Sequence, residues 1–414
     1  MRKLLSSLGP FLRAHLRWFA LAALVALTLG AVIAAPRLQS PRAGGARMST
    51  SGSSGAATQA SAGADTPPAD ATSEFKTDFT KHSVPYSEIL SGGPHKDGIP
   101  AIDAPKYVSV GEANDWIKPV EPVIAVQIGD DARAFPVQIL IWHEIVNAEV
   151  GGTPLAVTFC PLCNTAIVYE RTLGAQTLDF GTTGRLRYSN LVMYDRQTES
   201  WWQQATGAAI VGSLTGAQLR ARPAAMISWA DFQAAHPDGR VLSRDTGYGR
   251  SYGRNPYPGY DDIHSSPFLY QGPAIPGTLP AMARIIVVLV GDQAVAYPFS
   301  ALASKHVIND SVVAEEVVII WSPGTASPLD QDRVAQGQDI GAAAAFSRVI
   351  DGQRLTFVYQ NSGVTDRETG SAWDITGRAT TGALAGKSLT LLDGVNSFWF
   401  NWIAFRPDTR VYQT

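Results

Sequence analysis

The sequence predicts a β-rich α+β fold: two tandem repeated β-dominated lobes with short helices, carried behind an N-terminal membrane anchor or signal segment and a flexible linker. Three observations predict it. A block of fourteen residues recurs at a constant offset, short β-branched runs punctuated by Gly and Pro outnumber helical ones, and an apolar run follows basic residues near Met1.

In chain order, Arg2, Lys3, Arg13 and Arg17 precede an apolar run from Trp18 to Ala35, which Pro36 ends. About 18 apolar residues lie at the lower edge of what crosses a bilayer core. The basic flank keeps the N-terminus cytoplasmic and sends the remainder outward. The run exceeds the usual signal-peptide core, which favours an uncleaved anchor, while the small residues from Gly30 to Ala35 suit a cleaved signal peptide. No cysteine lies near its end, so a lipoprotein is excluded. Residues 1–36 are therefore expected to anchor the protein on the extracytoplasmic side of the cytoplasmic membrane, or to secrete it if they are cleaved. Residues 37–73, rich in Ser, Ala, Gly, Thr and Pro, bury too little apolar surface to offset their ordering entropy and read as a tether.

The remaining chain divides into 74–262 and 263–414. Val123–Pro136 aligns with Ile285–Pro298 at an offset of 162, with half the positions identical. The register carries on through Leu140/Leu302, Asn147/Asn309 and Phe159/Trp321. After gaps it resumes at Asp195/Asp366, Trp202/Trp373 and Trp229/Trp399. Gly-Asp between two apolar runs predicts hairpins near 122–136 and 284–298. A short helix follows over 137–146, then strands over 154–159, 165–171, 176–181, 190–194 and 208–213. Ser228, with Asp231 three residues on, opens another helix that Pro237 and Gly239 end.

The comparison of copies separates building residues from acting ones. Asp195 and Trp202 recur and are structural. Cys160, Cys163 and His143 do not recur: their counterparts are Ser322, Thr325 and Lys305. Cys160-Pro-Leu-Cys163, the only cysteines, sit on a bend between two strands, with Asn164 suited to the left-handed position after the second. Two thiolates supply half of a zinc site and suit copper by softness. His143 is the best completing ligand, with His264, His236, Met193 and Met226 the other candidates. A thiol–disulfide redox pair competes, although the residues after Cys163 read as a strand and provide no helix dipole. A structural disulfide in a non-catalytic binding module is the third reading. His143-Glu144 lacks a second His four residues on, so no metalloprotease motif is present.

The stretch Arg244–Tyr260 holds four Tyr, three Arg and six Gly or Pro. It is too aromatic for a disordered tether and predicts an ordered loop whose Arg244, Asp245, Tyr248, Tyr252 and Arg254 remain available for binding. With 45% hydrophobic and 17% charged residues and a net charge of −3, the composition suits a globular protein without a nucleic-acid partner.

Trp142-His-Glu-Ile-Val-Asn147, Thr158-Phe-Cys-Pro-Leu-Cys163, Asn190-Leu-Val-Met-Tyr-Asp-Arg196, Thr198-Glu-Ser-Trp-Trp202 and Leu242–Tyr248 together resemble the bacterial domain of unknown function 3179. The resemblance implies an exported or membrane-anchored bacterial protein with a characteristic cysteine pair, and it carries no activity. The expectation is thus a membrane-tethered protein that binds a soft metal ion, Zn or Cu, through Cys160, Cys163 and His143, with a thiol oxidoreductase as the alternative.

Overall fold

The computed structural model describes residues 65–413; the expected anchor over 1–36 and most of the 37–73 tether lie outside them. Among the described residues no helix is long and apolar enough to cross a membrane. Strand makes up 40% and helix 13%, so the chain is β-rich with a few short helices. Packing begins at Ala71, which is fully buried, and Arg185 pairs with both Asp70 and Glu74.

The first hairpin, Pro122–Ile128 with Asp131–Pro136, turns at Gly129, where φ is +58°. Strand Ala225–Ser228 pairs antiparallel on its outer side, with Ser228 opposite Pro122. Strand Arg240–Leu242 pairs parallel on the other side, with Arg240 opposite Arg133. In the second half, Arg284–Val290 and Gln293–Pro298 are flanked in the same way by Gly394–Phe398, with Phe398 opposite Arg284, and by Arg410–Val411, with Arg410 opposite Val295. The pairing pattern of one half therefore recurs in the other.

Each hairpin feeds a seven-residue helix, Val137–His143 or Phe299–Lys305. The first is shorter than the sequence suggests. It stops at His143, because Glu144 adopts φ +58° and β-branched Ile145 and Val146 begin a strand, Ile145–Val150. That strand continues as a meander through Thr153–Cys160 and Thr165–Glu170. Thr165–Glu170 then pairs with Gly394–Phe398 through Asn396 opposite Ala166, so one sheet runs across both halves.

The helix Trp229–Ala235 forms as expected, with the Ser228 side chain accepting from the Asp231 backbone N–H. Its counterpart, Trp399–Phe405, has Phe398 at its N-cap and no side-chain cap. Ser397 is turned to other work, described below.

Asp195 anchors a buried knot. Its carboxylate accepts from the Thr198 N–H at 2.6 Å, the Thr198 hydroxyl at 2.9 Å and Trp202 Nε1 at 2.9 Å. Asp366 makes the same three bonds to Thr369 and Trp373 at 2.6, 2.9 and 2.9 Å. The recurrence marks this aspartate as scaffold.

Candidate functional site: a buried thiol pair

Strand Thr153–Cys160 ends at the first cysteine, and Pro161–Cys163 forms one turn of 3₁₀ helix, with Pro161 supplying the fixed φ that starts it. Asn164 takes the left-handed conformation (φ 48°, ψ 40°) that lets the chain reverse into Thr165–Glu170. Cys160 and Cys163 are free thiols rather than a disulfide, and both are buried. Their sulfurs lie 2.7 Å apart.

A second tight turn meets them. Tyr188 and Ser189, both at positive φ, link Phe180–Arg187 to Asn190–Asp195. The turn aims the Ser189 carbonyl at the pair, where it accepts from the Cys163 thiol at 3.3 Å. Asn190 Nδ2 donates to the Cys163 sulfur at 3.3 Å and to Gln204 Oε1 at 2.8 Å. Gln204 in turn donates to the Thr158 hydroxyl at 3.0 Å.

The second half reaches in as well. The Thr165 hydroxyl donates to the Cys163 carbonyl at 3.0 Å and lies 3.0 Å from Ser397 Oγ, and Asn401 Nδ2 donates to it at 3.0 Å. Asn164 Oδ1, Ser189 Oγ, Gln203 Oε1 and Asn401 Oδ1 are buried in this network without a protein partner.

The aromatic loop covers the turn. The Tyr260 hydroxyl donates to the Leu162 carbonyl at 2.9 Å. Tyr257 and Tyr260 are both held far above the ordinary phenol range by burial first; the Cys160 charge adds to this at both, with Glu144 contributing at Tyr257 and Cys163 at Tyr260. Glu144, which ends the first short helix, has its backbone carbonyl 2.8 Å from the Phe159 N–H, one residue ahead of Cys160. Its carboxyl is buried and has no hydrogen bond or ion pair among the described residues. Burial pushes its pKa up to about 8. Burial likewise raises the Cys163 thiol well above its usual range; the Cys160 thiol and the Glu144 charge reinforce the shift and the Asn190 bond opposes it. Burial therefore keeps the Cys163 thiol protonated, and no helix N-terminus activates the turn.

The expected ligands are not brought together. His143 is buried with both ring nitrogens occupied, Nδ1 2.7 Å from the Pro100 carbonyl and Nε2 2.7 Å from the Tyr252 hydroxyl. It faces the aromatic loop, and burial lowers its pKa. His264 is exposed on the surface. Met193 shares the apolar cluster of the two cysteines, whereas Met226 belongs to a different one. Among the described residues no group of three or more His, Cys, Asp or Glu could hold a metal ion. Zinc needs four donors, and this donor set does not fit it.

The loop residues expected to bind form a separate patch. Arg244 donates to Gln138 Oε1 at 3.0 Å and lies over the Trp116 ring. Asp245 pairs with Lys106, Tyr252 bonds the Thr246 hydroxyl, and the Arg254 carbonyl accepts from Trp142 Nε1. Tyr248 stays exposed beside His143. Sequence reasoning missed Glu144, Ser189 and Asn190; it expected the linker tyrosines to roof the site without singling out Tyr257 and Tyr260. One signal was available for Glu144: its aligned position holds His306, so it differs between copies as His143 does. His306 keeps φ +60°, which shows that the strained conformation belongs to the scaffold and the carboxyl to the first half alone.

The family described as "Protein of unknown function (DUF3179)" matches residues 96–409, most of the chain. No curated protein and no solved structure matches.

Proposed function

Because the chain belongs to the DUF3179 family, whose description carries no activity, we propose from its geometry that Cys160 and Cys163 form a reversible dithiol–disulfide centre. The carrying observation is the pair itself: two free, buried sulfurs 2.7 Å apart on one turn. Oxidation removes two electrons and two protons from the pair and joins the sulfurs; a small oxidant takes the electrons. Burial at 0–1% exposure favours a small molecule over a protein disulfide as that oxidant. The raised pKa of the Cys163 thiol and the absent helix dipole make the centre slow, unlike a rapid exchange catalyst. The four unpaired polar atoms beside the turn suit a site that admits water or a small polar molecule.

The wider reading is an exported protein held to the outer face of the cytoplasmic membrane by residues 1–36, its body two tandem copies of one module. The recurring strand pairings and the twin Asp195 and Asp366 knots support the duplication. On this reading the second copy is the scaffold partner that supplies Ser397 and Asn401 to the dithiol turn.

Thiol counting on the purified full chain tests the centre. The reduced protein, denatured and titrated, should yield two thiols. Treatment with a small oxidant should remove both, and a reductant should restore both. Thiols that stay unreactive until acid or a chelator releases a stoichiometric metal ion would replace this reading with soft-metal binding. Thiols that survive the oxidant with no metal present would end it.

A further inference from the structure

Away from the thiols, a cleft of about 610 Å³ opens where the first half meets the second. Its walls are Ala125 to Gly129 from the first hairpin, Ala225 and Ile227 on the edge strand beside it, Arg222 and Pro223 just ahead of that strand, and Thr376 to Leu391 from the opposite half. The volume lies in the range of small-molecule sites, which are on the order of 300–1,000 Å³.

The lining is chemically one-sided. Arg222, Arg378, His236 and Ser388 contribute to it, as does Thr376, whose hydroxyl already donates to Asp374 at 2.6 Å; no aspartate or glutamate lines the cleft itself. This bias stands out in a chain of net charge −3. Arg222 is paired, with Glu170 at 2.5 Å. Arg378 is exposed and makes no ion pair among the described residues, so its guanidinium is free to meet a ligand. His236 is half-buried, and burial holds its imidazole below the ordinary range while the nearby Asp374 opposes that shift. The floor is apolar: Ala125, Ile128, Pro223 and Leu391 line it half-buried, over the buried Ile227, Phe346 and Leu389. One free guanidinium beside an apolar floor suits a molecule that carries a negative head on a hydrocarbon body.

We propose that this cleft binds a small amphipathic anion, a carboxylate or phosphate with an apolar tail, with Arg378 meeting the head and Ile128, Pro223 and Leu391 contacting the tail. The head group is held by a charge-assisted bond to the one unpaired guanidinium. The tail gains by leaving water for a preformed apolar surface. The cleft draws its walls from both halves, so the site exists only in the whole chain. It owes nothing to the chemistry of the thiol pair.

Calorimetric titration of the full chain with decanoate and decyl phosphate, each below its micelle concentration, tests the assignment, with decanol as the uncharged control. One equivalent of either anion should bind saturably, at least about tenfold more tightly than decanol. Arg378→Glu should weaken the anions about tenfold and leave decanol unchanged. Ser388→Trp, at an exposed rim position, should block all three probes, with the melting temperature retained as the check on folding. Binding of several equivalents that ignores both variants, or no saturable binding to a folded chain, would overturn the site.

Discussion

The acid near the thiols costs the fold stability at high pH. Glu144 has a folded pKa of about 8 against an ordinary 4.5, because its buried carboxyl lacks a compensating partner. Between those values the folded chain holds a proton that the unfolded chain has lost. Stability is therefore fully present below about pH 4.5 and falls as the pH rises through about 8. Glu144→Gln removes that proton uptake. Above about pH 8 the variant should be more stable than the parent, by on the order of 4 kcal/mol, and near pH 4 the two should converge. Urea denaturation at several pH values measures this; a constant gap at all pH values would show that the carboxyl is ionised in the fold. The thiols make a second prediction. Closing a ring over residues 160–163 adds about 2 kcal/mol in the chain-entropy account. The oxidised protein should thus melt a few degrees above the reduced one. Cys163→Ser, which keeps a donor facing the Ser189 carbonyl, should melt at one temperature with or without oxidant.

At the scale of elements, what was legible was what repeats locally. Gly129 and Gly291 between apolar runs gave both hairpins, and Ser228 with Asp231 gave a capped helix. Ile145 and Val146, which open the strand Ile145–Val150, were read as helix because their apolar spacing continues that of Val137–His143; the positive φ of Glu144 separates the two elements. The site itself was half legible. The cysteine turn and Asn164 could be read from five consecutive residues, whereas Ser189, Asn190 and Tyr260 reach it through contacts across 26 to 98 residues. Copy comparison gave a firmer result for Asp195, and it yields a matched pair of variants. Asp195→Ala and Asp366→Ala each strand a buried Trp Nε1 and two further donors, so each should cost about 2–4 kcal/mol. Equal losses in denaturant midpoint, with the thiol count unchanged in both, mark the aspartate as structural. Loss of thiol reactivity in a stable Asp195→Ala protein would move it into the site.

At the scale of the molecule, the two halves are joined where no local pattern could announce it. Asn396 pairs with Ala166, and Thr165, Ser397 and Asn401 form one buried hydroxyl and amide cluster from a strand of the first half and a strand and helix of the second, more than two hundred residues apart. The same seam holds the Cys163 carbonyl through Thr165. The boundary expected near 262 therefore does not separate independent cores. Unfolding should be a single cooperative transition: tryptophan fluorescence and far-ultraviolet circular dichroism should trace one midpoint in urea. Residues 74–262 expressed alone should lack fixed near-ultraviolet ellipticity, because the Thr165–Glu170 strand loses its neighbour and the Thr165 hydroxyl its partners. Asn401→Leu tests the seam in the intact chain. It removes donors to Thr165 Oγ1 and Ser397 Oγ from a site with no access to water, at a cost of about 2–3 kcal/mol. Although it lies in the second half, it should also speed reaction of the first-half thiols with a small alkylating reagent, since the turn that buries them would open more often. Separate midpoints for the two probes, or thiol reactivity indifferent to Asn401, would show that the halves stand apart and that the dithiol turn is secured by its own half alone.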